Sequence, residues 1–258
     1  ARLRSPHTVT LFDYGISAEG DFYYVMEKLD GIDLEVAVER FGPMPAPRVA
    51  HLLMQACLSL AEAHDSGLVH RDIKPANIFV CKLGLEVDVL KVLDFGVVKW
   101  AAREAVAVTM PADQTCGTPA FMSPEASTDP ASLDGHADVY ALGCVAYWLL
   151  TGEIPFDAPT TTGLLLKHVL EAPVPPSART SQPIPQALEH LVMRCLSKKA
   201  ADRPTALELY SLIAETGLSR GWAREKALIW WNERIPEVMA GLPDSLRRPP
   251  LGSIHRTL

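Results

Sequence analysis

"LVHRDIKPANIFV" (residues 68–80) places a histidine, an arginine, an aspartate and a lysine within five positions, between two apolar runs. The flanks predict burial, while the centre is dense in charge and hydrogen-bond donors. Singly, each charged residue has an ordinary reading: an aspartate after an apolar run forms turns, and neighbouring Arg and Asp form solvated ion pairs. The order of the downstream motifs sets the stretch apart. Asn77 stands five positions beyond Asp72, then come "DFG" at 94–96, "GTPAFMSPE" at 117–125, "DVYALG" at 138–143 and "DRP" at 202–204.

Upstream, apolar residues at Val49, Leu52, Leu53, Ala56, Cys57, Leu60 and Ala63 have helical spacing, and Gly67 is a stop signal. Further upstream, "HTVTLFDYG" and "DFYYVMEKL" around a turn-like "ISAEG" predict a β-hairpin ending near Leu29, and "DGIDLEVAVERFG" reads as a linker and short helix. Downstream, "NIFV" and "VLKVL" read as short strands. Residues 100–118 are loop-like, and helices are predicted over 139–150, 163–170, 186–196 and 205–214. "EAPVPPSARTSQPIP", with five prolines, is a connector. A hairpin followed by a mostly helical body is an α+β layout.

The bulk numbers narrow the function. A net charge of −7 over 258 residues argues against general nucleic-acid binding. "VYALGCVAYWLLTG" is shorter than the roughly 20 residues a membrane span needs, and predicts a buried helix. Five cysteines without a CxxC pair predict free buried thiols in a reducing, cytoplasmic setting. The eight histidines show no metal-binding spacing.

The five ordered motifs resemble those of the protein kinases, and most closely the bacterial Ser/Thr kinases of eukaryotic type, over roughly residues 8–214. The resemblance implies ATP and Mg²⁺ as cofactors and a protein acceptor with Ser or Thr hydroxyls. By it, Asp72 would orient or accept the acceptor hydroxyl proton, Lys74 would lie near the transferred phosphate, and Thr118 would bridge the two. Asn77 and Asp94 would hold Mg²⁺ through hard oxygen ligands, and Gly96 would give freedom to the turn after Asp94. In the hinge, Met26 takes the gatekeeper position and Glu27 and Leu29 would face adenine. Asp33 would reach the ribose and Phe79 the other face of adenine; without the motif context, Met26 and Phe79 read equally well as core. His70 would pack beneath the loop. Arg71 would meet a phosphorylated activation-loop residue, Thr115 or secondarily Thr109. Asp138 would hold the catalytic-loop backbone, and Glu125 would pair with Arg203.

The sequence departs from the family at its start. No GxGxxG is present, and the first lysine, Lys28, falls in the hinge, so the strand lysine and its helix glutamate are missing. Residues 1–29 are therefore expected to be a remnant of the N-terminal lobe, 30–215 the C-terminal lobe, and 216–258 an extension, helical and then flexible. Two functions stay open: the lobe of an active Ser/Thr kinase, or a non-catalytic kinase-like scaffold. "WAREKALIWWNERIP" predicts either a helix packing its tryptophans on the body or a partner surface.

Overall fold

The computed structural model describes residues 3–17, 22–95 and 118–241, apart from the side chains of Phe22, Ala131 and residues 236–241. Strands β1 (Leu11–Ile16) and β2 (Phe22–Met26) pair antiparallel as the expected hairpin. They form a sheet of their own, and Phe12, 65% exposed, together with Tyr14, Ile16 and, opposite Tyr14, Tyr24 leaves it an open apolar face. The chain before the hairpin is tied to the body. The Val92 amide donates to the His7 carbonyl at 2.8 Å, the Val9 amide to the Val92 carbonyl at 3.0 Å, and the buried Thr8 and Ser59 hydroxyls meet at 2.6 Å.

One expectation fails just past the hairpin. Residues 30–33, read as a linker, form strand β3 (Asp30–Asp33), which pairs antiparallel with β4 (Ile78–Leu83); β4 in turn pairs with β5 (Glu86–Val92). Two aspartates and a glycine in four residues have poor strand propensity, so the strand exists through its partner. The glycine is what permits it: a Cβ on Gly31 would stand 2.1 Å from the Val80 carbonyl oxygen. Asp33 then caps helix α1 (Leu34–Phe41), accepting from the Val36 amide at 2.8 Å.

Helix α2 (Ala46–Asp65) ends in a Schellman motif: with Gly67 at φ 74°, the Leu68 amide donates to the Ala63 carbonyl and the Gly67 amide to the His64 carbonyl. That ending aims residues 68–77 across the molecule. Helices α3 (Pro124–Thr128), α4 (Gly135–Thr151), α5 (Thr161–Leu170), α6 (Gln186–Cys195) and α7 (Ala206–Thr216) come after it. Fourteen of the seventeen residues of α4 are buried, as an all-round apolar helix requires, and the core is built from α2, α4, α6 and α7 around it. Among the described residues, no helix is long and apolar enough to cross a membrane.

The tryptophan segment packs inward. It forms helix α8 (Arg224–Gly241), whose fully buried Trp231 donates its indole N–H to Asp88, as does Trp222 at 2.7 Å. Asp88 also grips Arg48 through both oxygens, at 2.8 and 2.9 Å, and the guanidinium lies 3.7 Å from the centre of the Trp230 ring. The four cysteines among the described residues are free and buried, and Cys116 lies outside them.

Candidate active site

The loop leaving α2 is held from below by one buried carboxylate. Asp138, near the start of α4, accepts the His70 and Arg71 amides and the His64 imidazole, each at 2.8 Å. This grip holds Arg71 at φ 66°, a left-handed conformation unusual for a non-glycine residue. His70 is buried; its Nε2–H donates to the Leu93 carbonyl at 2.6 Å and its ring meets Phe95 edge-on at 4.8 Å. The loop is thereby fixed to the residues just before and just after Asp94. Asp138 and His70 occupy the places the sequence assigned to them.

Above this support four predicted residues converge. The Lys74 ammonium lies 3.1 Å from Asp72 Oδ2 and 3.2 Å from Thr118 Oγ1, and the Thr118 hydroxyl points at Asp72 Oδ1 from 3.5 Å. A 3-10 turn at Pro75–Asn77 brings Asn77 back so that its Nδ2 donates to the Asp72 carbonyl at 2.8 Å and to Oδ2 at 3.1 Å. With its amide nitrogen thus committed, Asn77 presents its oxygen as an acceptor, the hard donor a magnesium ion takes. The Leu93 amide bonds the Asn77 carbonyl at 2.9 Å, which sets Asp94, at φ 56°, immediately beyond. A carboxylate and an amide oxygen on adjoining backbone fit Mg²⁺.

The nucleotide residues are less closely grouped. A cleft of about 790 Å³ opens beneath the hairpin, and Tyr24, Met26, Leu68, Asp94 and Phe95 are in its wall. Glu27, Leu29, Asp33 and Phe79 do not line it. They lie instead along the hinge and on the paired strands β3 and β4, where Asp33 stands opposite Phe79. The Glu27 side chain faces the body: Lys91 lies 2.7 Å from its carboxylate and the Thr10 amide 2.8 Å. Burial raises its pKa, but those donors outweigh it and hold the carboxyl below its ordinary range. Burial pushes Asp33 up, against the donors of the cap it makes. Tyr24 was missed by sequence reasoning. Burial raises its phenol, and so do the charge and hydrogen bond of Asp94, so it faces the proposed metal ligand. An aromatic in a β run carries no signal of that contact.

Glu125 and Arg203 form the expected pair, at 2.6 and 2.8 Å through two parallel hydrogen bonds, with the guanidinium buried. Burial opposes ionisation of Glu125, yet the arginine brings its carboxyl below the usual value. Gly96, Thr109 and Thr115 lie outside the described residues.

A family model described as "Protein kinase domain" matches residues 1–212. The chain belongs to the protein kinase family. Its relatives include the serine/threonine-protein kinase pkn3 of Myxococcus xanthus, 38% identical over 213 residues that cover 81% of this chain and 39% of that protein. The serine/threonine-protein kinase PknB of Mycobacterium tuberculosis is 37% identical over 214 residues, covering 81% and 33%. The chain thus spans at most 39% of the length of these two relatives. Among solved structures, the PknI kinase domain of M. tuberculosis superposes with a TM-score of 0.61 at 27% identity, over 83% of this chain and 74% of that one. Protein kinases use ATP and Mg²⁺ and act on protein acceptors. The α+β architecture found here is the kinase fold, and the family match ends near the close of α7, so α8 is additional to it.

Proposed function

We propose that this chain is the hinge and C-terminal lobe of a protein serine/threonine kinase that transfers the γ-phosphate of ATP to Ser or Thr hydroxyls. The observation that carries the reading is the Lys74 ammonium bridging Asp72 and Thr118 at 3.1 and 3.2 Å. Asp72 orients the acceptor hydroxyl and takes its proton, Lys74 offsets phosphate charge, and Thr118 fixes the distance between the acceptor segment and both. Mg²⁺ held by Asn77 and Asp94 would neutralise the charge of the ATP phosphates. Met26, Glu27 and Leu29 of the hinge, with Asp33 and Phe79, would hold the nucleoside. Arg71, exposed and rigidly presented, would receive a phosphate on Thr115 or Thr109. A scaffold has no need of an Asp–Lys–Thr–Asn cluster. Free buried thiols agree with a cytoplasmic setting. In this reading, residues 1–29 belong to the N-terminal lobe, 30–215 are the C-terminal lobe, and 216–258 extend it.

Because residues 1–258 contain neither a glycine-rich loop nor a strand lysine, they should hold Mg·ATP with a dissociation constant on the order of 1 mM or weaker. The test is a radiolabelled-ATP assay. Full-length protein should label a generic acceptor such as myelin basic protein, and residues 1–258 alone should not. No transfer by the full-length protein would sink the kinase reading. Transfer by residues 1–258 that Asp94→Asn abolishes would show that the missing elements are dispensable.

A further inference from the structure

A groove of about 550 Å³ lies apart from the residues assigned to phosphoryl transfer, between one face of α2 and the first turns of α4 and α7. Leu58, Ala61, Glu62 and Asp65 form its α2 wall, and their spacing at i, i+3, i+4 and i+7 puts them on one side of that helix. The apolar lining is completed by Ala206 and Leu207 of α7. Leu58 is 36% and Leu207 58% exposed, so two large apolar side chains stand open to solvent in one groove. The rim is acidic. Glu62, Asp65 and Asp134 line the groove, and no lysine or arginine does. Glu62 uses both oxygens on the Arg4 and Ser5 amides, at 2.8 and 2.7 Å. Asp134 meets the His136 amide at 2.9 Å and its imidazole at 3.1 Å; burial opposes its charge, but these donors outweigh burial and hold the carboxyl below its ordinary range. The Asp65 carboxylate makes no hydrogen bond or ion pair among the described residues.

The two helix ends at the groove offer little to an anion. Each is already capped by the chain itself, α4 by Asp134 and α7 by Thr205 and Glu208 in a capping box. An apolar floor under an uncompensated acidic rim selects an occupant that is apolar and cationic at once. We propose that this groove docks a segment of a partner protein in which apolar side chains are flanked by lysine or arginine. The apolar side chains fill the space between Leu58 and Leu207, and the cations reach Asp65 and Asp134. The volume is that of an ordinary ligand site and takes a few residues of an extended chain. Nucleic acid and anionic lipid carry the wrong sign of charge. The groove also borders the support of the catalytic loop. His64 lines it, and its imidazole lies 2.8 Å from Asp138, the carboxylate that holds the His70 and Arg71 amides.

The test is fluorescence anisotropy of the full-length protein with a labelled peptide, Gly-Lys-Leu-Arg-Leu-Lys-Gly. Binding should saturate, and should weaken at least about tenfold when both leucines become serine or when the three basic residues become glutamate. Leu207→Ser and Asp65→Lys should each weaken it about fivefold or more with the melting temperature unchanged, since both side chains are exposed. Leu170→Ser, on the 76% exposed Leu170 of α5, should leave it within about twofold. Absence of saturable binding by the wild type overturns the proposal. So does equal binding of the three peptides, or an equal loss in Leu170→Ser, because either is what unspecific adhesion would give. Sedimentation that finds a dimer dissolved by Leu207→Ser assigns the groove to a second copy of the chain and overturns it too. Should a variant not fold, the three peptides on the wild type still decide. No step of the test involves ATP, so its result is separate from the kinase reading.

Discussion

The Asp88 carboxylate meets Arg48 through both oxygens and takes an indole N–H on each, with its side chain 0% exposed. The Asp72 carboxylate meets Lys74, Asn77 and Thr118 at 3.1 to 3.5 Å and keeps 28% of its side chain open. Both clusters pair an aspartate with a basic residue, and both lean on a left-handed residue, Asp88 itself at φ 55° and Arg71 at φ 66°. They differ in saturation. A charge removed from water is tolerable only when its hydrogen-bonding capacity is filled, and Asp88 meets that condition. A carboxylate that is to take a proton must keep capacity free and reachable, and Asp72 does. Saturation thus separates the carboxylate that holds the fold from the one assigned the chemistry.

The widest gap between them is expected in rate. In the full-length protein, Asp72→Asn should lower phosphoryl transfer by about 10²–10⁴-fold, the range of general acid–base contributions, with the urea midpoint nearly unchanged. Single-turnover transfer within threefold of wild type would remove Asp72 from its role and break the comparison at its catalytic end.

Asp88→Asn is the reciprocal test. Asparagine tolerates φ 55°, so the backbone is spared and the charge alone is lost. Arg48, 1% exposed, is left without its counter-charge, and removing one partner of such a pair costs about 3–5 kcal/mol. Urea unfolding should show the loss in residues 1–258 and in the full-length protein alike. A cost under about 1 kcal/mol, the scale of a surface ion pair, would mean that the cluster relaxes and is not saturated in solution.

The two regions were unequally legible in the sequence. Asp72, Lys74, Asn77 and Asp94 stand in a fixed local order because one loop and one turn must present them together, and local order is what a sequence displays. Asp138, 66 positions from Asp72, was readable only through the motif that contains it. Asp88 stands in "EVDVLKV" as a polar residue within a strand, and its four contacts come from α2, from Trp222 and from α8, which no local pattern links to it. The tryptophans left a packing helix and a partner surface both open, and nothing in their spacing pointed to Asp88. Strand β3 was hidden for a similar reason: its residues disfavour a strand, and β4 supplies the pairing. His168 read as one more helical residue, and its full burial comes from Tyr140 and Phe156, which no local pattern links to it.

A pH series separates the buried His168 from both aspartate clusters. Burial, with Lys198 nearby, lowers the His168 pKa from 6.5 to about 4, so the unfolded chain binds a proton in this range that the folded chain refuses. Stability is therefore full above about pH 6.5 and falls as the pH drops toward 4, by roughly 3 kcal/mol at most. His7 and His51, also held below the ordinary value by burial, act with the same sign. The informative quantity is thus the difference between wild type and His168→Gln: the variant's curve should be flatter between pH 6.5 and 5. Parallel curves would show that the imidazole is solvated.

The smallest expected effect tests saturation itself. Trp222 gives Asp88 Oδ2 one of its donors at 2.7 Å and lies about 5.1 Å from the Arg48 guanidinium carbon, but is only partly buried. Trp222→Phe keeps most of the ring and removes the N–H, so it subtracts one hydrogen bond to a charged group, worth about 1.5–3 kcal/mol. Water can reach this edge of the cluster and replace part of the loss, which places the expectation near the lower end, about 1.5 kcal/mol by urea unfolding. Trp231 has no such relief, being fully buried, so Trp231→Phe should cost more than Trp222→Phe. The ordering matters more than either value. If the two variants cost the same, water satisfies Asp88 on both sides, and the contrast between a saturated and an open carboxylate reduces to a difference in depth.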